Sequence, residues 1–297
     1  MLRNTLIFTF LSICLAIQGQ FGFQYDPIIP VYHGSDSLKR AWNGGLNHPQ
    51  FGAIDIDFDG IDDLFIFDRS SNQIRVYLTK FDTAGNPYYA YEHDGHKYFP
   101  PNIRFRAALA DYDLDGRPDL FVYAIGGVKV YRNVGNAADG LKWEVAYELL
   151  ESVYTAGKSN LFVSSIDIPA FFDVDQDGDL DVLTFNIGGE RVEFHKNLSM
   201  ENYGVPDSLE FVLEDACWGR FREGEFDNTI QLNASDGACS GNMPPFEDET
   251  RELRHVGSCL LAIDLNNDQV TDLLLGDVEA ANITALINGT NLPSDEA

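Results

Sequence analysis

The sequence predicts an all-β protein, a β-propeller built from four-stranded antiparallel blades. Three observations support this prediction. An acidic nine-residue segment recurs four times, short apolar runs flank each copy, and no helical period of useful length is present. Self-similarity at a spacing of roughly 60 residues is typical of repeat architectures, in which each unit buries its apolar face against its neighbours.

The four acidic segments share one pattern of oxygen-bearing side chains. They are residues 55–63, 111–119, 173–181 and 264–272. Positions 1, 3, 5 and 9 carry aspartate or, once, asparagine, and position 6 is glycine in three of the four copies. Carboxylates this close together repel one another unless a cation lies among them.

Short apolar runs lie on both sides of every acidic segment. The preceding runs are residues 51–54, 106–110, 169–172 and 259–263, and the following runs are residues 64–67, 120–124, 182–185 and 273–275. Unbroken apolar runs of this length suit strands that are buried on both faces. We therefore place each acidic loop between the first and second strands of a blade.

Two more strands complete each unit. A third run alternates with period two, as where Val192 and Phe194 alternate with Glu193 and His195, which indicates a half-exposed strand. Residues 88–94, 141–149 and 209–215 are typical of a fourth strand. Four antiparallel strands per unit, stacked face to face around an axis, form a propeller.

The spacing of the acidic residues predicts calcium sites. Positions 1, 3 and 5 of a tight loop direct carboxylates toward one point, glycine at position 6 permits the backbone reversal, the position-7 carbonyl turns inward, and position 9 closes the shell. Hard oxygen ligands in flexible geometry suit calcium better than magnesium. The predicted side-chain ligands are Asp55, Asp57, Asp59, Asp63, Asp111, Asp113, Asp115, Asp119, Asp173, Asp175, Asp177, Asp181, Asp264, Asn266, Asp268 and Asp272, and the predicted carbonyl ligands are Ile61, Arg117, Asp179 and Val270.

The individual loops carry further expectations. We expect the Asp179 carboxylate to point outward while its carbonyl binds the ion. The fourth loop has Asn266 in place of a carboxylate and Gln269 in place of glycine, so we expect it to be the weakest of about four sites. An EF-hand is excluded because position 12 is Ile66, Val122, Thr184 or Leu275, each within a predicted strand.

These loops and their following strands resemble the FG-GAP/VCBS repeat family, whose best-known relatives are the calcium-bearing blades of integrin α-subunit propellers. The resemblance covers most of residues 40–290 and extends to features of exported bacterial members. Relatives of the integrin type have seven blades, whereas this chain ends after the third strand of its fourth unit. We expect the chain to be incomplete; the alternative is that residues 25–33 supply the missing strand and close a four-bladed ring.

The N-terminus predicts export. Residues 1–19 are typical of a secretory signal, with Arg3 followed by a short apolar run, and residues 20–297 form the propeller. A lipoprotein signal at Cys14 is disfavoured because Ile13 stands where a small residue is required. The expected location is therefore extracellular or at the cell surface, where calcium is abundant and thiols oxidise.

The mature chain would retain three cysteines. We favour a disulfide between Cys217 and Cys239 within an insertion of about residues 214–258, with Cys259 free; three buried thiols are the alternative. "TAGKS" at residues 155–159 lacks the first glycine of a phosphate-binding loop and is interpreted as a simple loop.

Two functional classes remain open. The net charge of −27 disfavours nucleic acid and anionic membranes as partners. The first class is a non-catalytic propeller that binds a protein or glycan in surface adhesion, with no membrane insertion. The second is an extracellular lyase or hydrolase whose catalytic part lies in the propeller funnel or beyond residue 297. The first is favoured because the sequence shows no recognisable nucleophile–base motif, and its paired carboxylates are already assigned to the predicted calcium sites.

Overall fold

In the computed structural model the chain divides into two compact units, Met1–Gly44 and Gly45–Ala297. The structure describes residues 29–38, 41–224, 229–232, 239, 258–277 and 281–289. In the first unit, β1 (Tyr32–His33) pairs with β2 (Asp36–Ser37) in a small hairpin. Of residues 25–33, the described part thus pairs locally and is not a strand of the fourth blade. The predicted signal lies outside the described residues.

The second unit is a β-propeller of small antiparallel sheets, as the sequence predicts, and it is arranged in four blades. The first two blades consist of β3 (Pro49–Ile54), β4 (Asp63–Asp68), β5 (Gln73–Phe81), β6 (Pro87–Glu92), β7 (Ala107–Ala110), β8 (Asp119–Ala124), β9 (Gly127–Asn133) and β10 (Trp143–Tyr147). In each blade the strands pair in chain order, and the acidic loop joins the first strand to the second.

The other two blades depart from this pattern. Their strands, with a two-stranded ribbon between them, are β11 (Glu151–Tyr154), β12 (Gly157–Asn160), β13 (Ala170–Phe172), β14 (Asp181–Phe185), β15 (Val192–Asn197), β16 (Phe211–Asp215), the ribbon β17 (Phe221–Glu223) and β18 (Ile230–Leu232), and then β19 (Ser258–Ile263), β20 (Asp272–Asp277) and β21 (Ile283–Leu286). The third blade has six strands, and the fourth has three among the described residues.

Apolar side chains of adjacent blades form three buried clusters. Phe65 and Phe67 of the first blade pack with Leu120 of the second. Phe121 of the second blade packs with Val182 of the third. Leu183 and Phe194 of the third pack with Leu260 and Leu273 of the fourth. The second strand contributes to every cluster, which explains why its sequence is the most continuously apolar.

The extra strands of the third blade correct two expectations. Residues 155–159 are not a simple loop, because they form the turn and much of the second strand of the β11–β12 hairpin, and β11 adds to the sheet parallel to β16. The hairpin also covers β15, so His195 is fully buried rather than half-exposed. Its Nδ1 lies 2.8 Å from Ser152 Oγ of β11.

The cysteines match the favoured pairing. Cys217 and Cys239 form a disulfide, and Cys259 is free and exposed, so three buried thiols are excluded. Most of the predicted insertion lies outside the described residues.

Arg106, just before β7, joins the second blade to the segment that leads to the third. Its side chain is 1% exposed. Nη1 donates to the carbonyl oxygens of Ser164 (2.6 Å) and Asp167 (3.1 Å), and Nη2 donates to that of Gly127 (2.5 Å). Burial lowers the pKa of Arg106 to about 10, so the guanidinium stays charged at neutral pH.

Replacing Arg106 by methionine is expected to destabilise the propeller by about 3 kcal/mol, because buried carbonyl groups lose their donors. Urea unfolding followed by tryptophan fluorescence measures this difference. Arg104→Met is the matched control, since the Arg104 residue is exposed and the change should cost under about 0.5 kcal/mol. Equal effects of the two substitutions would contradict the role assigned to Arg106.

Candidate metal centres

The four acidic loops share one backbone conformation. Position 4 is left-handed in every copy, with φ of 58° at Phe58, 51° at Leu114, 63° at Gln176 and 63° at Asn267. Position 6 also has positive φ: 86° at Gly60, 87° at Gly116, 100° at Gly178 and 69° at Gln269. Two left-handed residues in each loop produce the tight reversal, and glycine adopts that conformation at least cost. The fourth loop therefore folds like the others despite Gln269.

The carboxylate at position 1 closes the turn in each copy. In the first loop, Asp55 accepts hydrogen bonds from the backbone N–H groups of Asp59 (3.1 Å) and Gly60 (2.8 Å). The corresponding bonds to Asp111, Asp173 and Asp264 from position 6 measure 2.8, 3.1 and 2.9 Å. These hydrogen bonds thus hold the position-1 aspartate in place without an ion.

The aspartate at position 9 links each loop to the third strand. In the third loop, Asp181 accepts from the N–H of Val174 at Oδ2 (2.9 Å) and from the N–H of Asn197 at Oδ1 (2.8 Å). The equivalent pairs of bonds are present at Asp63, Asp119 and Asp272. All four of these aspartates are at most 2% exposed. Position 9 is therefore a structural clamp as well as a candidate ligand.

Carboxylate oxygens converge in the first three loops. Three ligand atoms lie within 4.8 Å of one another in each of the sets Asp55, Asp57, Asp63; Asp111, Asp113, Asp115; and Asp173, Asp175, Asp181. Among the described residues the fourth loop contains no such set of acidic side chains. That this loop binds most weakly stays a prediction.

Several buried carboxylate oxygens in these loops accept no hydrogen bond from the protein. They include both oxygens of Asp113 and Oδ1 of Asp173. Arg132 forms an ion pair with Asp113, with Nη2 2.5 Å from Oδ2, yet the contact lacks hydrogen-bond geometry. Buried acceptors without donors are costly, and a hard cation would satisfy them. The residues present therefore fit calcium.

Burial makes the negative charges expensive in the absence of a cation. It raises the pKa of Asp181 to about 9, and those of Asp119 and Asp177 to about 7. A raised carboxyl pKa means that the folded state disfavours the ionised form, so these groups cost stability at neutral pH unless positive charge lies nearby. A bound divalent ion would reverse the direction of these shifts.

Asp179 differs from the expectation. Its residue is 3% exposed, and its Oδ2 accepts from the backbone N–H of Met200 at 2.9 Å. The carboxylate therefore points toward the short helix α1 (Ser199–Tyr203) rather than outward, because that N–H offers a buried donor. The carbonyl roles of Ile61, Arg117, Asp179 and Val270 stay predictions.

The same helix brings in an acidic residue that the sequence did not reveal. Glu201 places a carboxylate oxygen within 4.8 Å of ligand atoms of Asp175 and Asp177. Lys196 Nζ also contacts this group, at 2.6 Å from Glu201 Oε1. Hydrogen bonds to Asp175 and Glu201 raise the pKa of Lys196, although burial opposes them. A five-residue helix leaves no periodic signal in the sequence, so this contact could not be predicted from the sequence.

Away from the loops, a cavity of about 1080 Å³ is walled by all four blades. Its lining includes Pro49 of β3, Phe105 before β7, Ile168 before β13 and Ile283 of β21. Arg69 adds a guanidinium, held by its Nε bond to the Phe105 carbonyl at 2.6 Å. The walls are mainly apolar with a few polar groups, as in small-molecule and peptide sites.

A serine, a histidine and a glutamate lie next to one another within the third blade. His195 Nδ1 is 2.8 Å from Ser152 Oγ, and His195 Nε2 is 3.5 Å from Glu193 Oε2. Ser152 and His195 are both 0% exposed. A nucleophile must be able to reach its substrate, and these buried side chains cannot. The hydrogen bond between Ser152 and His195 instead holds the hairpin to the sheet.

The fold and the loops define a class, β-propellers in which an acidic loop joins the first two strands of each blade. Residues 111–184, which hold the second and third loops, match the family model of the FG-GAP-like repeat. This match confirms the predicted resemblance to the FG-GAP repeat family. No curated protein matches the chain.

The left-handed backbone at Gln269 carries strain that glycine would relieve. Gln269→Gly is expected to stabilise the protein by about 0.5–1 kcal/mol, and Gly116→Gln to destabilise it by a similar amount. A Cβ at Gly116 would meet no atom within 4 Å, so that cost is conformational rather than steric. Urea unfolding of both variants in chelator measures the two differences. Changes of the same sign would contradict the shared loop geometry.

Proposed function

We propose that this protein is a secreted calcium-binding propeller that binds a protein or glycan at or outside the cell surface without catalysing a reaction. The observation that carries the calcium assignment is the set of buried carboxylate oxygens without donors in loops of one repeated geometry. Side chains at positions 1, 3, 5 and 9 would hold the ion. The ion would supply positive charge that offsets their repulsion.

Calcium fits these loops better than magnesium. The clusters consist of carboxylates, which are hard ligands. Magnesium demands a near-ideal octahedron and retains several waters, whereas calcium accepts irregular shells of six to eight oxygens. The loops differ in which three side chains converge, since Asp63 and Asp181 belong to their clusters but Asp119 does not. Such variation suits the more tolerant ion.

Three observations favour an extracellular location. The N-terminal residues are typical of a secretory signal. The disulfide between Cys217 and Cys239 suits an oxidising compartment. FG-GAP repeats are themselves typical of extracellular proteins. Within the part of the chain that the structure describes, no helix is long and apolar enough to span a membrane.

Binding is favoured over catalysis by where the polar groups lie. The Ser152–His195 pair is buried. The aspartates at positions 1 and 9 of the loops accept backbone hydrogen bonds, which hold them within the loops. The cavity, by contrast, is open to a ligand and offers apolar walls with Arg69 as a polar anchor. Two of the three tryptophans are poorly placed for sugar stacking, since Trp218 is buried and Trp143 stacks on Phe99.

Chelation is expected to lower the melting temperature, because an ion that binds only the folded state adds about 2.7 kcal/mol per site at a hundredfold excess over Kd. Differential scanning fluorimetry in EDTA and in calcium, with isothermal titration for stoichiometry, measures the effect, and the fourth loop should fill last. Asp173→Asn should remove one site, while Asp207→Asn, on an exposed residue outside the loops, should not. A shift under about a degree with EDTA would refute calcium binding.

A binding module should retain ligands without turning them over. The calcium-loaded chain is expected to bind members of a glycan or extracellular-matrix protein array and to lose that binding in EDTA as the blades loosen. A parallel screen against polysaccharide and peptide substrates should show no turnover. Arg69→Met tests the cavity, with Arg104→Met as the control. Turnover by the purified chain would overturn the non-catalytic proposal.

A further inference from the structure

In each of the first three loops, one basic side chain from the third strand lies against the carboxylates at positions 3 and 5. The contacts are Lys80 Nζ with Asp57 Oδ2 (2.5 Å) and Asp59 Oδ2 (3.6 Å), Arg132 Nη2 with Asp113 Oδ2 (2.5 Å) and Asp115 Oδ2 (3.6 Å), and Lys196 Nζ with Asp175 Oδ2 and with Asp177 Oδ2 (3.4 Å). The closer partner is the position-3 carboxylate each time. One arrangement thus recurs in three blades.

Strand register explains this recurrence. The position-9 clamp fixes Asn133 and Asn197 against their loops, and the basic residues Arg132 and Lys196 come one residue earlier. In the first blade the clamped residue is Thr79, and Lys80 comes one residue later. Residues on either side of a given strand position point to the same face. All three cations are therefore delivered to the same side of the loop.

The fourth loop lacks this cation. Asn288 is its clamped residue, and the position of Lys196 is taken by Ile287, which is 53% exposed. The sequence contains no lysine or arginine after Arg254. Among the described residues of this blade none is a lysine or arginine, so its third strand brings no cation to Asp264 or Asp268.

We propose that Lys80, Arg132 and Lys196 act as resident cations, each of which keeps its loop folded without metal and weakens that loop's affinity for a divalent ion. In the fourth loop, which lacks such a residue, only a metal ion would offset the repulsion between the carboxylates. The part of this proposal that concerns affinity rests on the proposed calcium binding. The part that concerns the metal-free loop does not.

Charge–charge interactions determine both the stabilisation of the metal-free loop and the weaker binding of the divalent ion. In the metal-free loop, an ammonium or guanidinium beside two carboxylates offsets their repulsion. When a divalent ion binds the same carboxylates, the resident cation repels it at short range. The effect should be largest in the third loop, where the Lys196 and Asp175 side chains are only 18% and 7% exposed. It should be smallest in the first loop, where both partners, Lys80 and Asp57, are exposed to solvent (36% and 32%).

Hydrogen exchange of the full chain, followed by mass spectrometry, tests this proposal. In EDTA, residues 264–272 should exchange faster than residues 173–181. Lys196→Met should speed exchange of 173–181 roughly tenfold in EDTA and much less in calcium. The gain-of-function change Ile287→Lys should slow exchange of 264–272 in EDTA.

A calcium titration read by the same peptides should show tighter binding for Lys196→Met and weaker binding for Ile287→Lys, each by roughly tenfold.

Lys129→Met is the matched control, because Lys129 pairs with Glu148 away from the loops and is about as exposed as Lys196. If Lys196→Met changes exchange of 173–181 equally in EDTA and calcium, the lysine is an ordinary packing residue and the proposal is overturned. The same holds if Ile287→Lys gives no protection in EDTA. If no loop responds to calcium, the proposed metal binding is wrong, yet the EDTA comparison still decides whether the resident cations order the loops.

Discussion

The architecture of the blades depends on two hydrogen bonds that the position-9 aspartate accepts from backbone N–H groups. In the third blade, Asp181 receives one N–H from Val174 in the loop and one from Asn197 at the end of the third strand. It is also the first residue of β14. A single buried carboxylate thus joins the loop, the second strand and the third strand. The same bonds recur in the other three blades, so the repeat in sequence is a repeat of this connection.

That connection explains why position 9 is an aspartate in all four loops. A neutral side chain of the same shape would form weaker hydrogen bonds with the two N–H groups, since a hydrogen bond to a charged group contributes about twice as much to stability as a neutral one. The charge has a cost, because it is buried and lies near three other carboxylates. Positive charge nearby offsets that cost. A basic side chain from the third strand provides it within the protein, and a divalent ion would provide it from solution.

The sequence predicted the parts of the fold that local chemistry determines. The first and second strands follow from apolar runs, and the loop conformation follows from glycine at position 6 between regularly spaced aspartates. The β11–β12 hairpin could not be predicted as part of the third blade, because its pairing with β16 is parallel and crosses more than fifty residues of chain. The burial of His195 follows from that pairing. The inward turn of Asp179 depends on the N–H of Met200, which a five-residue helix positions without any periodic signal.

The blades separate the acidic loops from the cavity. β3 begins at Pro49, which lines the cavity, and ends at Ile54, which precedes the first loop; β19 likewise runs from Ser258 at the cavity to Ile263 at the fourth loop. Each of these strands has six residues, or about 20 Å of extended chain. An ion in a loop therefore cannot touch a ligand in the cavity. Any influence of metal on ligand binding must pass through the order of the strands, which the position-9 clamp holds in register.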